Sequence, residues 1–283
     1  MADLLKGVPV AQSINERSEQ ELRKLSARGV YPTLAFVRLG SNQDDIAYER
    51  SASKCCEKVG VKTETFALPE DVSQAELEKL IVTLNKNSSI HGILVFLPLP
   101  EHLDRKAVQK LILPKKDVDG ISPGSLAGVF IGDGEGFPPC TAEACIEILD
   151  YYGIDCKGKH AVVVGRSLTV GKPLSMLLLG KNATVTVCHT KTSDMPSVTK
   201  NADILIAAAG RANMLGAGHL SSGQIVIDVG INFVDGKLCG DVDFSAAESL
   251  ASAISPVPGG VGTVTSALLV NHVVEAAKRQ SAD

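Results

Sequence analysis

The chain has 283 residues, 45% of them hydrophobic and 21% charged, with a net charge of -4 and a pI near 5.9. That length suffices for one large domain or two ordinary ones, and the balance is that of a soluble globular protein. No Lys/Arg cluster suggests a nucleic-acid or membrane surface, "MADLLKGVPV" lacks the apolar core of a secretion signal, and runs such as "PLSMLLLG" are too short to cross a bilayer.

Strand and helix patterns alternate along the chain. Residues 30–38 ("VYPTLAFVR") read as a strand, and 43–59 as a helix ended by Gly60. "VKTETFALP" is a strand, Ser73 with Glu76 forms a capping box opening a helix over 74–86, and "HGILVFLPLP" is a buried strand stopped by its prolines. Residues 114–140 are loop-rich, with Thr141 placed to cap a helix running to about Tyr152. Further strands are expected at 160–165, 183–189, 203–209 and 224–229. This alternation implies an α/β fold with mostly parallel sheets: two α/β domains around a cleft, the second a Rossmann-like, doubly wound sheet. The Gly/Pro-rich stretch before residue 141 marks the boundary, giving domains 1–140 and 141–264. Seven cysteines at 55, 56, 140, 145, 156, 188 and 239 are odd in number and scattered, which fits reduced thiols in a cytoplasmic protein. Cys55-Cys56 lacks CxxC spacing and nearby histidines, so it reads as helix packing rather than a metal site.

The stretch "AVVVGRSLTVGKP" carries the first chemical signal. Small β-formers end in Gly165, and Gly171 starts the following helix, as in a turn whose backbone approaches a phosphate. A Walker A loop would need four residues between its glycines, and this stretch has five, with Pro173 after Lys172. It also departs from G-x-G-x-x-G, because Ser167 stands at the second glycine; a plain strand–helix turn is the simpler alternative. The next strand ends "VTVCHTKT", where an NAD-preferring fold would place an acid on the ribose. Thr190 and Lys191 stand there instead, and Arg166 follows the first strand. Cations plus a hydroxyl suit a ribose phosphate, hence NADP, although Lys191 alone would be an ordinary solvated lysine.

Taken together, "VVVGRSLTVGKPLSMLLL", "ATVTVCHTKT", "VIDVGIN", "GDVDF" and "SPVPGGVGTVT" resemble the methylenetetrahydrofolate dehydrogenase/cyclohydrolase family, in order and spacing. "HGILVFLPLP", "PKKDVDGISP" and "FPPCT" resemble its folate-domain motifs, so the likeness spans nearly the whole chain. It implies an N-terminal folate domain, a C-terminal NADP domain, a last helix (265–283) returning to the first domain, and a homodimer. Family enzymes oxidise 5,10-methylenetetrahydrofolate to the methenyl form with NADP, and most then hydrolyse it to 10-formyltetrahydrofolate, in one-carbon metabolism serving purine biosynthesis. By position, Gly165, Arg166, Ser167 and Gly171 match the phosphate turn, Thr190 the contact near the 2′-phosphate, and Ile231 a backbone contact to the nicotinamide end. Asp119 matches the carboxylate that holds the pterin, where one carboxylate can accept two N–H bonds from a 2-aminopyrimidinone edge. A turn-forming role in "DVDG" fits Asp117 better. Pro258, Gly259 and Gly262 match the turn closing on the folate, and Tyr48 the tyrosine that stacks on the pterin. Without the family, Tyr48 would read as half-buried packing.

Two departures coincide. The family's lysine four residues after the tyrosine, on the same helix face, is Ala52 here, and its glutamine before "LPLP" is Phe96. Lys54 lies roughly 200° around the helix from Ala52 and does not substitute. Asp45, Ala142 and Thr263 are smaller departures that remove no reacting group. Hydride transfer is chiefly an orientation problem, whereas hydrolysis needs general acid/base chemistry. The expectation is therefore a dehydrogenase with a weak or absent cyclohydrolase step. A fully bifunctional enzyme recruiting Glu49, Arg50 or Asp45 is one alternative, and a non-catalytic folate/NADP-binding paralogue another. A shikimate-type dehydrogenase would need a lysine/aspartate pair in the first domain, for which there is no good candidate.

Overall fold

The computed structural model describes residues 1–282. In chain order it contains β1 (Asp3–Leu4), α1 (Gly7–Ala27), β2 (Thr33–Leu39), α2 (Gln43–Val59), β3 (Lys62–Leu68), α3 (Gln74–Lys86), β4 (Gly92–Val95), α4 (Arg105–Leu111), α5 (Pro123–Ile131) and α6 (Cys140–Tyr151). Then follow β5 (His160–Val164), α7 (Gly171–Gly180), β6 (Thr184–Cys188), α8 (Met195–Lys200), β7 (Ile204–Ala207), β8 (Ile225–Asp228), β9 (Asn232–Val234), β10 (Lys237–Cys239), α9 (Phe244–Leu250), β11 (Ala253–Ile254) and α10 (Val261–Gln280). The chain divides into two compact units, Met1–Gln12 with Thr141–Thr265, and Ser13–Cys140 with the residues from Ser266 on. The sequence reading kept all of 1–140 in one domain, but Met1–Gln12 groups with the later unit. The reason is local: β1 pairs in parallel with β11, Asp3 against Ala253 and Leu4 against Ile254.

The later unit holds a six-stranded parallel sheet in the order β1-β11-β8-β7-β5-β6. Strands β7 and the inner part of β5 are buried throughout, as expected of strands covered on both faces. Val162, Val164, Leu205 and Ala207 pack with Val198 of α8 and Ala247 of α9. Because β6 and β7 flank β5 on opposite sides, the order in which strands are added switches sides at β5, and ligands of such sheets bind at the strand carboxyl ends beside that switch.

The earlier unit repeats the device in three parallel strands, β3-β2-β4, with β2 central. Ala35, Val37 and Leu39 of β2 form a core with Leu77, Ile81 and Leu84 of α3, so Phe36 and Arg38 project to the opposite face. Helix α2 opens on Asn42, whose side chain accepts from the Asp44 amide, and closes on Gly60 at φ 100°. Ser73 and Glu76 make both bonds of the capping box on α3.

One local expectation fails. Helix α6 begins at Cys140, so Thr141 lies inside its first turn instead of capping it. The stretch 114–140 is loop-rich as expected, and within it Ser122 accepts from the Ser125 amide and starts α5 with Pro123 at its first position.

Candidate active site

In the later unit the glycine turn is built by close backbone approach. Gly165 has φ 135°, and a Cβ there would run into the Ala208 carbonyl; a Cβ on Gly171 would run into the carbonyl of Gly165 itself. Only glycine at these positions lets the end of β5, the end of β7 and the start of α7 meet. The Ser167 hydroxyl accepts from the Val170 amide at 3.0 Å and from Gly171 at 3.4 Å, so it shapes the entry to α7. Val164 pairs with Cys188, and two residues beyond each lie Arg166 and Thr190, both exposed at the same sheet edge with Lys191. The end of β6, "CHTKT", carries no acid. The turn at 189–192 is fixed by the His189 amide donating to Thr192 Oγ1 at 2.9 Å and the Lys191 amide donating to His189 Nδ1 at 3.1 Å.

Ile231, past the end of β8, is 63% exposed. With Pro258, Gly259 and Gly262 it lines one cavity of about 260 Å³, and Gly262 faces its Cδ1. The Val257–Pro258 peptide is cis.

Two carboxylates that sequence reasoning left without a role hold this region. Buried Asp241 accepts from the amides of Ala209, Gly210 and Arg211 at 2.6, 2.8 and 2.9 Å, and from the Asn232 side chain at 2.9 Å. Asp228 accepts from the amides of Gly230, Asp241 and Val242. Burial pushes the Asp228 carboxyl up to about 6 against those amide bonds, with the Asp241 charge adding to the rise. The signal was present, as "VIDVGIN" carries one acid at a strand end and "GDVDF" two just past a strand, but one sequence does not show which acid is buried.

In the earlier unit, Tyr48 stands on α2 with its ring edge-on to Phe96, centroids 5.9 Å apart, and Phe96 lies 5.9 Å from Phe36. Tyr48 keeps 46% of its surface, yet protein surrounds its hydroxyl. That burial first, and the nearby Asp119 charge second, hold the phenol above its usual range. The structure thus brings Tyr48 and Asp119 together. Asp119 itself is half-buried, and desolvation, then repulsion by Asp117, pushes its carboxyl up to about 7; His272 and a bond from the Cys140 thiol oppose the rise. Asp117 is the turn residue, fully buried and accepting from the Ile121 and Ser122 amides at 3.1 and 2.7 Å.

The position of the missing lysine is apolar. Ala52 is 3% and Phe96 7% exposed, while Lys54 points to solvent. Glu49 is committed elsewhere: its carboxylate takes Arg38 Nε at 2.8 Å and the Thr65 hydroxyl at 2.9 Å. Cys55 and Cys56 pack on α2, all seven cysteines are free thiols, and among the described residues no cluster of His, Cys, Asp or Glu could hold a metal ion. The candidate folate residues are divided between the units, Tyr48 and Asp119 in one and Pro258, Gly259 and Gly262 in the other.

A parallel sheet whose strand order switches sides at β5, with a glycine turn and cations at its carboxyl edge, defines a dinucleotide-binding α/β protein of the dehydrogenase class. Family models resolve the rest. Residues 139–281 match the tetrahydrofolate dehydrogenase/cyclohydrolase NAD(P)-binding domain, and residues 5–119 the catalytic domain of the same family. The chain belongs to the tetrahydrofolate dehydrogenase/cyclohydrolase family. It is 49% identical to the bifunctional protein FolD of Carboxydothermus hydrogenoformans, over 98% of this chain and 97% of the relative. Among solved structures it is similar to the bifunctional FolD methylenetetrahydrofolate dehydrogenase/cyclohydrolase of Campylobacter jejuni (TM-score 0.96, 41% identity, 99% of each chain). The Trypanosoma brucei methylenetetrahydrofolate dehydrogenase-cyclohydrolase, solved with NADP cofactor and an inhibitor, matches with TM-score 0.92 and 34% identity over 100% of this chain and 99% of that one.

Proposed function

We propose that this protein oxidises 5,10-methylenetetrahydrofolate to the 5,10-methenyl form with NADP, and that its cyclohydrolase step is weak or absent. When bound, NADP supplies the hydride acceptor. The donor set at the edge of β5 and β6 suits it: the guanidinium of Arg166 and the hydroxyl of Thr190 for a ribose phosphate, the turn at Gly165, Ser167 and Gly171 for the pyrophosphate, and the backbone at Ile231 for the nicotinamide end. On the folate side, Asp119 would accept from the pterin and Tyr48 would pack on it. The methylene bridge gives up a hydride with its two electrons, and the adjacent nitrogen lone pairs hold the cation that remains. No side chain needs to take a proton, so orientation suffices.

Hydrolysis of that cation does require proton transfer. The single observation that carries the reading is the aromatic contact of Phe96 with Phe36 and Tyr48 beside a buried Ala52, which leaves no proton-bearing group where the family's lysine and glutamine stand. Glu49 is held by Arg38 and Thr65, and the Tyr48 phenol stays protonated at neutral pH. Stopped-flow decay of methenyltetrahydrofolate with and without protein tests this: matching decay is expected, and protein-dependent hydrolysis comparable to the NADPH-forming rate rejects it. NADPH formation from methylenetetrahydrofolate separates the enzyme from a binder that shows ligand stabilisation without turnover.

The finer reading places the protein in the cytoplasm, supplying one-carbon units that include those for purine biosynthesis, as a homodimer. The free thiols support the first; no helix among the described residues is long and apolar enough to cross a membrane. The hairpin of β9 and β10 supports the last, because it exposes Phe233 at 76% and Val234 at 41%. Sedimentation of the wild type and of Phe233→Glu decides it: a dimer shifting to monomer is expected, a monomeric wild type rejects the dimer, and a variant that stays dimeric rejects the hairpin as its seam.

A further inference from the structure

The surroundings of Asp119 include a side chain from far along the sequence that none of the motifs contain. His272 of α10 is 2% exposed, with its Nδ1 2.8 Å from the Val118 carbonyl and 3.6 Å from Cys140 Sγ. The Cys140 thiol donates to the same carbonyl at 3.4 Å, and its one proton can turn instead to the Asp119 carboxylate, which it holds down. Imidazole and carboxyl therefore share one thiol and one peptide unit. The ring packs tilted against Phe137, centroids 4.8 Å apart and planes at 32°, and Arg279 lies 4.4 Å over that phenyl ring.

We propose that His272 is a positioning residue for the folate site, setting the charge and placement of Asp119 through Cys140 and Val118, and with them the pH range over which the pterin is held. The part concerning the pterin rests on the function proposed above; the part concerning the carboxyl does not. Three neighbouring groups among the described residues act on Asp119: Asp117 raises its carboxyl, while His272 and the Cys140 thiol lower it. Asp117 carries a charge that disfavours a second carboxylate, and an imidazolium offsets it. Donation from Nδ1 to the Val118 carbonyl fixes the neutral tautomer, so the second proton enters at Nε2 without breaking that bond. The ring can thus change charge while the peptide carrying Asp119 stays in place.

His272→Asn isolates the effect, because the asparagine amide can still donate to Val118 yet takes no proton. The readout is the carboxyl carbon of Asp119 in full-length, aspartate-labelled protein, followed by NMR against pH and assigned by its loss in Asp119→Asn. A rise in the Asp119 midpoint of about half a pH unit or more is expected in His272→Asn and in His272→Gln. Reciprocally, Asp119→Asn should lower the His272 imidazole midpoint by a similar shift, since coupling between two sites is mutual; this arm also decides the matter should the His272 variants fail to fold. In turnover, the pH dependence of KM for the folate should move with the Asp119 midpoint while kcat holds. Midpoints that coincide in wild type and variants, in either arm, overturn the proposal and leave His272 a strut for Val118. A wild type that does not turn over methylenetetrahydrofolate overturns the proposed function, and the NMR arms still decide the role of His272.

Discussion

Arg166 and Thr190 share a sheet edge because Val164 pairs with Cys188, and the chemistry of the two side chains then favours a phosphorylated ribose. Arg166→Gln should raise KM for NADP about tenfold or more, the usual loss for one charge-assisted bond, while KM for NAD stays within about twofold; initial rates with each cofactor check this. Asp119 gives a prediction with a definite sign. Its native carboxyl is raised to about 7 from an ordinary 3.8, so between those values the folded protein holds a proton that the unfolded chain has released. Stability therefore falls as pH rises through that window, and the cost is complete above about pH 7. Asp119→Asn, neutral throughout, should lose less melting temperature than wild type between about pH 5 and about pH 8. An equal loss in both would show that the carboxyl is not raised. Roles at this scale were unevenly legible. Asp117 and Asp119 sit two apart in "KDVDG"; the turn role given to Asp117 is borne out by the amides of Ile121 and Ser122, whereas the burial that raises Asp119 was not legible.

Helices and strands were more legible, wherever the stop signals are local in sequence. Asn42 and Gly60 bound α2, and Ser73 with Glu76 opens α3, because caps satisfy backbone groups that local sequence leaves unpaired. Ser73→Ala should cost about 1 kcal/mol in denaturant unfolding, the usual value for a lost cap. Helix α5 escaped notice because its Ser122-Pro123 start lies among glycines that read as loop. On α2, helical phase carries the functional argument: Tyr48 and position 52 share a face, and Phe96 meets that face from the end of β4. Restoring both partners in Ala52→Lys/Phe96→Gln should therefore create protein-dependent hydrolysis of methenyltetrahydrofolate, by 10²-fold or more if the lysine acts as a general acid/base (a range of about 10²–10⁴). Either single substitution should give little. Stopped-flow decay measures all three, and an inert double variant would mean that the missing pair does not limit the reaction.

For the molecule as a whole, binding shifts folding by mass action. NADP at about a hundred times its Kd should add roughly 2.7 kcal/mol to unfolding, and NAD at the same concentration clearly less; parallel denaturant titrations read the difference. Equal stabilisation by both would remove the argument from Arg166 and Thr190. By itself the sequence determined the α/β class, the bounds of α2 and α3, the glycine turn, the family likeness and the loss of the Lys–Gln pair, since periodicity, caps and motif spacing are properties of neighbouring residues. The tertiary structure alone decided what depends on distant ones. It placed Met1–Gln12 with the later unit through β1 and β11, buried Asp228 and Asp241 as acceptors for the loops after β7 and β8, and set His272 and Cys140 beside Asp119. A carboxylate's charge and a histidine's role follow from burial and from partners more than a hundred residues away, and a single chain of letters carries no record of either.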